Sequence, residues 1–461
     1  MKGHSLWSYD PYTPPLFNSG DIYICRVVPY MDSIHFEWKS NSEESFEVYY
    51  RKRDNGEFIH YTDTDKNECD IINLDTDTDY EFYVASGDKK SRVRIARCGE
   101  SIGTVVNYLH PDDKAYEFSG QYLCSPSLIK HPDGYLLSSM DIYGDDSPQN
   151  LTIIFRSDDD GKSWHHLTEL MPCFWGEMFM HNSDIYMVSC STEGGDILIG
   201  KSSDGGKTFS APVALLRGSN CKQGMSGGHK SPMRAFVHNG RIYIAAEWGS
   251  WVKDKGYYHA AMVMSCDIND DLLIAENWSF SEPKIFEKSA PELMDVELPA
   301  STIEGSIVLA PDGKLLNVMR FSKRGYAIKY EIDQKNPETQ LKYDGLIKPN
   351  VGESKFEIQY DSVSNRYYTI ASHMYEGSDN WGRNLLCLIS SPDLENWEVL
   401  DTIIDYRHED WQKFGFQYVD FLFDGDDIIF LCRTAMNNAH TFHDTNYQTF
   451  HRIKNFRELV K

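Results

Sequence analysis

Two short polar stretches, SDDDGKSW at 157–164 and SSDGGKTF at 202–209, share one order of residue types. In each, serine, aspartate and glycine precede a terminal aromatic residue. Serine and aspartate side chains accept hydrogen bonds from backbone N–H groups of a turn, glycine permits positive φ, and the aromatic ring packs inward. A shortened relative, SSPDLENW, begins at Ser390. The pattern predicts a recurring turn with a structural role.

A second repeat surrounds these turns and covers the chain from about residue 100. An apolar run, a polar turn and another apolar run recur six times, beginning at Pro126, Met178, Pro232, Ser306, Glu357 and Val419. Asp-Gly and Asn-Gly turns suit tight hairpins because both central residues can take positive φ. Six such hairpins predict an all-β fold, a six-bladed β-propeller over residues 100–461. The segment at 447–456 is a candidate closing strand.

The two turn sequences resemble the Asp-box of the sialidase superfamily, S-x-D-x-G-x-T-W. The first has serine for the threonine and the second has phenylalanine for the tryptophan. The resemblance implies that these turns lie on the rim opposite the active site, and that the other ends of the blade strands carry the chemistry. An alternative interpretation is calcium binding by Asp158, Asp159 and Asp160, although a stapled turn needs no ion.

Residues 20–98 predict a small β-sandwich that precedes the propeller, with residues 1–19 as an extension. Runs such as DSIHFEW and SFEVYYR alternate apolar and polar residues, as half-buried strands do. The segment LDTDTDY, 74–80, resembles the tyrosine-corner segment of a fibronectin type III domain, and Trp38 fits the core tryptophan of that family. Nothing in this unit indicates catalysis, so we expect a spacer or docking module.

Composition excludes several classes of partner. The chain has 461 residues and a formal net charge of −25, which argues against nucleic acid and anionic membranes. It contains no apolar run of eighteen residues, so we expect no membrane span. The N-terminus lacks the apolar region of a signal peptide, which predicts a cytoplasmic protein, or a secreted one if a leader was removed. Ten scattered cysteines without a CxxC pair suggest buried thiols. No cofactor is expected.

The fourth repeat carries the first candidate site residues. In ASTIEGSIVLAPDGKLLNVMR, Glu304 lies sixteen residues before Arg320. A hairpin of this length returns the arginine to the mouth of the channel beside the glutamate. The resemblance implies that Glu304 polarises a nucleophilic tyrosine. It also implies that Arg320 is one of three arginines that bind the substrate carboxylate, which a guanidinium pairs through two parallel bonds. An ordinary surface salt bridge is the alternative.

The first repeat departs from that family. Sialidases have Arg-x-Pro here, whereas this chain has Cys124 before Pro126. A cysteine does not bind a carboxylate, so the arginine triad is incomplete in the sequence and sialic acid is in doubt as the substrate. Asp141 follows the hairpin, near the family's acid/base aspartate, with Asp145 and Asp146 close by.

The second and third repeats add candidates at the same end of their strands. His229 is a candidate general acid or base, and Lys230 or Arg234 a candidate for holding an acidic group. Glu177 takes the equivalent place in the second repeat, beside Trp175, which could stack on a sugar face. A hydrogen-bonded structural histidine and a core tryptophan are the alternatives.

The end of the chain supplies the nucleophile expected from the resemblance. Tyr418 lies on the last inner strand beside Gln417, and Arg433 ends the return strand as Arg320 does in the fourth repeat. Four further charged residues are candidates for the site: Lys355, Glu357, Arg383 and Asp420. A possible metal group or hydrogen-bonded loop comprises His440, His443, Asp444 and His451.

Three functions follow. The leading hypothesis is an exo-acting glycoside hydrolase of the sialidase superfamily that removes a terminal acidic sugar, with Tyr418 as nucleophile, Glu304 as its activator and Asp141 as acid/base. A carboxylate pair among Asp141, Glu177 and Glu304 is the variant of this chemistry. The second hypothesis is a polysaccharide lyase that acts on uronates through His229 and Tyr418. The third is a glycan-binding propeller without catalysis. The oligomeric state is not specified by the sequence.

Overall fold

The structure is a computed structural model that describes residues 2–12, 22–41, 45–219, 224–251, 258–378 and 381–460. These ranges contain 33 β-strands and three short 3-10 helices, at Ala275–Asn277, Pro291–Leu293 and Phe456–Leu459. No helix in the described ranges has the length and apolar character needed to cross a membrane. The fold is all-β, as predicted. Cys221 lies outside the described residues.

The N-terminal unit is a sandwich of two antiparallel sheets. One sheet has the order β1-β2-β5, and the other β4-β3-β6-β7 with β8 beside β6. The strands are β1 Tyr23–Pro29, β2 Ser33–Lys39, β3 Phe46–Lys52, β4 Ile59–Thr64, β5 Glu68–Ile72, β6 Asp79–Ser86, β7 Lys89–Lys90 and β8 Arg94–Arg97. Trp38 is buried between the sheets with Phe36 and Phe82. The hydroxyl of Tyr80 accepts a 2.8 Å bond from the N–H of Asp75. The fibronectin type III assignment and the domain boundaries stay predictions.

Six sheets, here blades I to VI, follow as a propeller; five of them have four strands and that of blade III has five. In each blade the first strand is innermost and pairs with the second. Blade I consists of β10 Tyr122–Lys130, β11 Leu136–Tyr143, β12 Thr152–Ser157 and β13 His165–Leu170. Blade II consists of β14 Phe174–His181, β15 Asp184–Cys190, β16 Ile197–Ser202 and β17 Val213–Leu216. In blade III, β18 Gly227–His229 and β19 Phe236–His238 together form the inner edge, followed by β20 Arg241–Gly249, β21 Ala260–Asp267 and β22 Ser279–Phe280.

Blades IV to VI complete the ring. Blade IV consists of β23 Thr302–Leu309, β24 Leu315–Phe321, β25 Ala327–Glu331 and β26 Lys342–Ile347. Blade V consists of β27 Gln359–Asp361, β28 Arg366–Ser372, β29 Leu385–Ser391 and β30 Glu398–Asp405. Blade VI begins with β31 Gly415–Asp424, β32 Asp427–Ala435 and β33 Tyr447–Ile453. Blade VI receives its fourth strand, β9 Thr104–Tyr108, from the start of the propeller. The chain end therefore forms the third strand of the closing blade, and the first propeller segment forms the fourth.

The N-terminal extension lies along blade II. Lys2 and Ser8 form isolated β-bridges with Leu216 and Val213 on β17. Tyr12 is buried and its ring meets Phe209, the aromatic residue of the second polar turn, edge to face. The extension thus covers the outer edge of a blade that would otherwise present unpaired backbone groups.

The recurring turns are held by their own side chains. In the first, Oδ1 of Asp159 accepts bonds of 2.9 Å from the hydroxyl of Ser157 and the N–H of Ser163, and Trp164 is fully buried. In the second, Asp204 accepts bonds from the N–H and hydroxyl of Thr208. The serine and aspartate thus have the local function predicted for them. Glycine is required at 161, since φ is +85° and a Cβ would meet the ring of Phe450.

The three aspartates of the first turn have separate partners. Asp158 pairs with Arg156 and Asp160 with Arg452, whereas Asp159 bonds within the turn. The carboxylates form no metal-binding group among the described residues, so the geometry gives no support to the calcium interpretation.

Asp159→Ala is expected to lower the free energy of unfolding by about 1–3 kcal/mol, because Ser157, Ser163 and the turn backbone lose their acceptor. Asp158→Ala is the matched control, and its exposed ion pair predicts a change of about 0–1 kcal/mol. Urea unfolding of both variants measures the difference. Equal losses for the two variants would show that the turn does not depend on Asp159.

Candidate active site

The inner strands of four blades carry a β-bulge near the same end of the channel. The pairing register shifts between Leu123 and Pro126, Phe174 and Glu177, Ile303 and Gly305, and Gln417 and Asp420. Three bulge residues, Trp175, Glu304 and Tyr418, have φ of 52°, 59° and 54°. Bulges re-aim side chains, and non-glycine residues with positive φ cluster at functional sites. All three line a cavity of about 940 Å³.

The centre of this cavity is a hydrogen-bonded group of three side chains. The hydroxyl of Tyr418 donates to Oε1 of Glu304 at 2.5 Å. Nη1 of Arg320 donates to Oε2 of Glu304 at 3.0 Å and lies 3.2 Å from the Tyr418 hydroxyl. The hairpin of blade IV brings Glu304 and Arg320 together, because Arg320 pairs in register with Ile303. Glu304 is thus placed to accept the tyrosine proton.

The charges of this group fit proton transfer. Burial alone disfavours an ionised Glu304, but Arg320 and the bond from Tyr418 outweigh it and hold the pKa of Glu304 below its usual value. Burial, with a further contribution from Glu304, raises the pKa of Tyr418 to about 12, while Arg320, Arg383 and Arg433 oppose the rise. Glu304 is therefore a carboxylate beside a neutral tyrosine, with three cations around the hydroxyl that stabilise a developing phenolate.

Three guanidinium groups surround Tyr418, two of them buried and that of Arg320 partly exposed. The guanidinium carbons of Arg383 and Arg433 lie 5.6 and 5.0 Å from the centre of its ring. Arg383 donates to the side-chain oxygen of Gln417 and, at 2.7 Å, to the carbonyl of Glu353. Burial and the neighbouring arginines lower the pKa of Arg383 to about 10, and its Nε–H is buried without a partner. Around Tyr418, the buried charged groups that line the cavity are therefore two guanidinium groups, of Arg383 and Arg433, and one carboxylate, of Glu304.

Arg433 reaches the position of the cysteine in the first repeat. Its Nη1 lies 3.4 Å from Sγ of Cys124. The guanidinium also bonds to the hydroxyl of Thr445 at 3.2 Å and to the carbonyl of His443 at 2.5 Å. The third guanidinium, which the sequence lacks in blade I, is thus supplied by blade VI. An incomplete triad in the sequence becomes a set of three arginines in the fold.

The opposite wall is aromatic. His229 and Trp175 both line the cavity, with ring centres 4.3 Å apart. Trp251 adds an indole 6.0 Å from His229, and its Nε1 donates to Glu193 at 2.6 Å. Nδ1 of His229 lies 2.6 Å from Oε2 of Glu247. Aromatic faces next to a hydrogen-bonding ring suit the apolar and polar faces of a sugar.

The structure divides the predicted site residues into two groups. The residues that line the cavity are Glu304, Tyr418, His229, Arg320, Arg433 and Trp175. The residues that do not line it are Asp141, Glu177, Lys230, Arg234, Gln417 and Lys355. The second group is almost completely buried, except for part of Arg234, and its members contact other parts of the propeller interior. Gln417 acts on the cavity only through its bond to Arg383.

Four of these deeper residues, Arg234, Glu177, Lys230 and Lys355, belong to a charged layer that does not line the cavity. Arg234 contacts Glu357 at 2.9 Å and Asp420 at 2.7 Å. Both oxygens of Glu177 are buried without a hydrogen-bond partner, and burial together with Asp420 raises the pKa of Glu177 to about 7. Lys230 and Lys355 each donate to a backbone carbonyl. These side chains therefore form a largely buried charged layer in the propeller interior.

Asp141 lies between blades I and II. Its Oδ1 accepts bonds from the hydroxyl of Thr152 at 2.6 Å and the N–H of Gly176 at 3.4 Å, while Oδ2 is buried without a partner. Asp145, four residues later, lines the cavity and accepts a bond from the hydroxyl of Tyr143. The aspartate available to a ligand in this segment is therefore Asp145.

Asp141→Asn is expected to change the pH dependence of stability. Burial raises the pKa of Asp141 to about 7, against its bonds to Thr152 and the backbone. A raised carboxyl pKa means that stability is fully present below the unfolded pKa of about 4 and is lost as pH rises to about 7. The variant lacks this loss, so its stability relative to the wild type should rise by at most about 4 kcal/mol from pH 4 to pH 8. Urea unfolding at both pH values measures it, and a constant difference would contradict the assignment.

The histidines near the chain end do not form one cluster. His440 and His443 bond to the two oxygens of Asp444 at 2.8 and 3.1 Å. His451 bonds instead to Thr449 on β33. Among the described residues, the metal-compatible group lies elsewhere, at Glu47, His60 and Asp63 of the sandwich. The arrangement agrees with a hydrogen-bonded loop, and His443 alone of the four lines the cavity.

Sequence reasoning missed or underrated three residues. Arg383 appeared only as one charged side chain among several, because it precedes a strand instead of ending a hairpin. Glu247 ends the second strand of its repeat, as Arg320 and Arg433 do, and that shared position was a usable signal. Asp145 is close to Asp141 in the sequence, and the sequence does not show which of the two aspartates faces the channel.

Comparisons with known proteins support the fold. The structure is similar to an α-L-arabinanase of Penicillium chrysogenum complexed with arabinobiose, at 12% identity and a TM-score of 0.53 over 78% of this chain and 99% of that chain. A Hadza microbial sialidase has 12% identity and a TM-score of 0.51 over 97% and 98%. Trypanosoma rangeli sialidase in complex with sialic acid has 16% identity and a TM-score of 0.50 over 78% and 59%.

These likenesses concern the fold alone, because the identities are low. They agree with a sialidase-like β-propeller. No protein-family model matches the sequence. No curated protein matches it either.

Proposed function

We propose that the protein is an exo-acting glycoside hydrolase that removes a terminal acidic sugar from a glycan. The observation that carries the proposal is the 2.5 Å bond between Tyr418 and Glu304 inside a ring of three guanidinium groups. A tyrosine paired with an ionised carboxylate is an activated nucleophile. Retaining sialidases use a tyrosine in this way and are exceptions to the two-carboxylate rule.

The acidic character of the sugar follows from the arginines. Arg383 and Arg433 are buried, whereas the side chain of Arg320 is 12% exposed. Among the described residues, Arg383 donates to a side-chain amide oxygen and a backbone carbonyl and forms no ion pair with a carboxylate. A carboxylate ligand would pair with guanidinium groups through short charge-assisted bonds and relieve their mutual repulsion. A sialic or uronic acid provides this group.

The first chemical step forms a glycosyl–tyrosine bond. Oη of Tyr418 attacks the anomeric carbon while its proton passes to Glu304. The bond from the anomeric carbon to the leaving oxygen breaks, and that oxygen takes a proton from Asp145 acting as general acid. We assign this role to Asp145 because it lines the cavity, whereas Asp141, the aspartate indicated by the sequence resemblance, is enclosed between two blades.

The second step releases the sugar. Water attacks the anomeric carbon, Asp145 accepts a proton from the water, and the bond to Tyr418 breaks as Glu304 returns the proton to Oη. Two displacements retain the anomeric configuration. The structural neighbours named for arabinanase and sialidase activity are all proteins that act on glycans, which agrees with this class of reaction.

Incubation with a panel of substrates tests the proposal. The panel contains a terminal sialoside, a glucuronoside, an arabinofuranoside and a neutral glucoside, each carrying the same fluorescent leaving group. We expect release from at least one acidic substrate and at least 100-fold lower kcat/KM for the neutral sugars, a ratio within the range that buried charge pairing provides. Release from neutral sugars alone would contradict the acidic specificity. No release from any of them, together with no unsaturated product from uronate polysaccharides, would favour a binding protein.

A lyase is the second candidate, because His229 and Tyr418 line the same cavity. In that reaction a base removes the proton next to the uronate carboxylate, and the glycosidic bond breaks with formation of a double bond. Incubation with uronate polysaccharides and ultraviolet detection of the unsaturated product distinguishes the two reactions. Unsaturated product without fluorescent release from the panel would replace the hydrolase by the lyase.

A further inference from the structure

Glu247 is a buried carboxylate that bonds to two different parts of the candidate active site. It lies on β20, directly opposite His229 in the pairing of β18 with β20, and 1% of its surface is exposed. Oε2 lies 2.6 Å from Nδ1 of His229, and Oε1 accepts a 2.8 Å bond from the N–H of Glu304. One side chain therefore joins the wall formed by blade III to the bulge of blade IV.

The bond to Glu304 holds a strained residue. Glu304 has φ of 59° at a break in the pairing of β23 with β24, so its N–H is available for a partner outside that ladder. Such a conformation persists only when surrounding contacts determine it. The carboxylate of the same residue accepts the bond from Tyr418. The position of the proton acceptor thus depends on Glu247.

The bond to His229 sets which ring nitrogen carries the proton. A carboxylate on one imidazole nitrogen favours the proton there and leaves the other nitrogen as an acceptor. Here the carboxylate contacts Nδ1, and no described residue bonds to Nε2. Trp175 and His259 pack against the ring with centres 4.3 and 4.6 Å away. The ring that lines the cavity is therefore fixed in both orientation and tautomer.

We propose that Glu247 is a positioning residue: it holds the backbone of Glu304 and fixes His229 so that Nε2 accepts a hydrogen bond from a hydroxyl or amide group of the bound sugar. The inference rests on the proposed function and adds a recognition site on the wall formed by blade III. Neither residue forms or breaks a bond in the hydrolysis. His229 contacts the sugar, and Glu247 acts through His229 and Glu304.

Glu247→Gln separates the two actions. The glutamine oxygen can still accept the bond from Glu304, but its NH₂ group must donate to Nδ1 of His229, which moves the ring proton to Nε2. Long-range proton–nitrogen NMR spectra of protein labelled with ¹⁵N-histidine measure this directly, with His229→Gln used to assign the signals. We expect a protonated Nδ1 in the wild type and a protonated Nε2 in the variant.

Binding is measured in the same spectra. N-acetylneuraminic acid and glucuronic acid are added separately to the wild type, and we expect the Nε2 signal of His229 to shift with at least one of them. An unchanged tautomer in Glu247→Gln, or an Nε2 signal that neither sugar shifts, would overturn the proposal. Because these spectra need no turnover, they are independent of whether the substrate panel is hydrolysed.

A kinetic cycle tests the route by which Glu247 acts. Glu247→Gln and His229→Gln are each expected to lower kcat/KM about 10- to 100-fold. The double variant should be no worse than the more impaired single variant, because both changes remove the same interaction. Glu247→Ala should lose more, since the N–H of Glu304 also loses its acceptor. Losses that multiply in the double variant would show that Glu247 and His229 act independently, against the proposal.

The chain offers a matched control in His166 and Glu169. This buried pair has Nε2 of His166 3.2 Å from Oε1 of Glu169 and lies away from the cavity, against the sandwich. Glu169→Gln should leave kcat/KM within about threefold and the His229 signals unchanged, whatever its effect on the melting temperature. A similar kinetic loss in this control would mean that Glu247→Gln acts by loosening the fold, which would overturn the positioning role.

Discussion

Tyr418→Phe is expected to lower kcat/KM for the acidic substrate by at least about 10³-fold, the largest effect of any single change in the cavity. The ring remains between Arg383 and Arg433, so packing and the positive charge around it persist. The oxygen that we propose as the nucleophile is lost, and Glu304 keeps its ion pair with Arg320 but has no proton to accept. Stopped assays with long incubation measure the residual rate.

Binding distinguishes this loss from a damaged site. The dissociation constant of the free acidic sugar, measured by calorimetry, should change less than about fivefold in Tyr418→Phe. Tyr143→Phe is the matched control, since its hydroxyl contacts Asp145 at the rim of the same cavity, and we expect a loss of about tenfold or less. A Tyr418→Phe protein that retains a tenth of wild-type activity would exclude Tyr418 as the nucleophile.

Arg383→Met is expected to lower kcat/KM for the acidic substrate about 10²- to 10³-fold, because one guanidinium of the proposed carboxylate site is removed. The same change should lower kcat/KM about tenfold or less for the methyl ester of the same sugar, which carries no charge. The loss of discrimination between acid and ester is therefore the specific result. Paired assays on the two substrates measure it.

Stability and a conservative variant control this prediction. Burial makes the charge of Arg383 unfavourable, as its lowered pKa indicates, so an apolar side chain of similar length should not lower the melting temperature strongly. Arg383→Lys keeps a charge without the two-pronged geometry, and an intermediate loss is expected. Equal losses for acid and ester would contradict a role in carboxylate recognition.

The fold could be predicted from the sequence because its signals are local. The six hairpins define the blades, and four of them have Asp-Gly or Asn-Gly turns. The polar turn at 157–164 has the internal bonds that its residue types predict. The strand that closes blade VI was harder to predict from the sequence. The pairing of β33 with β9 joins residues more than three hundred positions apart, and no local pattern specifies such a partner.

The site could be predicted where it depends on one hairpin. Glu304 and Arg320 meet because both belong to blade IV, and the spacing of the two residues is sufficient to bring them together. The position beside Cys124 depends instead on Arg433 from another blade. The sequence therefore suggested a missing guanidinium, whereas the tertiary structure brings a third one to the same place.

The depth of side chains in the channel was not predictable. Each bulge changes which residues of an inner strand face the cavity, and its place is not evident from residue types alone. Trp175 therefore lines the cavity, whereas Glu177, two residues later on the same strand, lies in the charged layer. Hairpin spacing alone likewise does not show that Asp145 lines the cavity and that Asp141 does not.

The proposed attack of Tyr418 on the anomeric carbon can be tested by measuring the mass of the protein after reaction with an activated acidic sugar that carries fluorine next to the anomeric carbon. The fluorine slows release of the sugar more than its attachment to the enzyme, so a covalent intermediate accumulates. If Tyr418 is the nucleophile, the mass increases by one fluorinated sugar, which peptide mapping locates on Tyr418 and which is absent in Tyr418→Phe. An adduct on Asp145, Glu304 or His229, or turnover of the reagent with no adduct at any time, would contradict it.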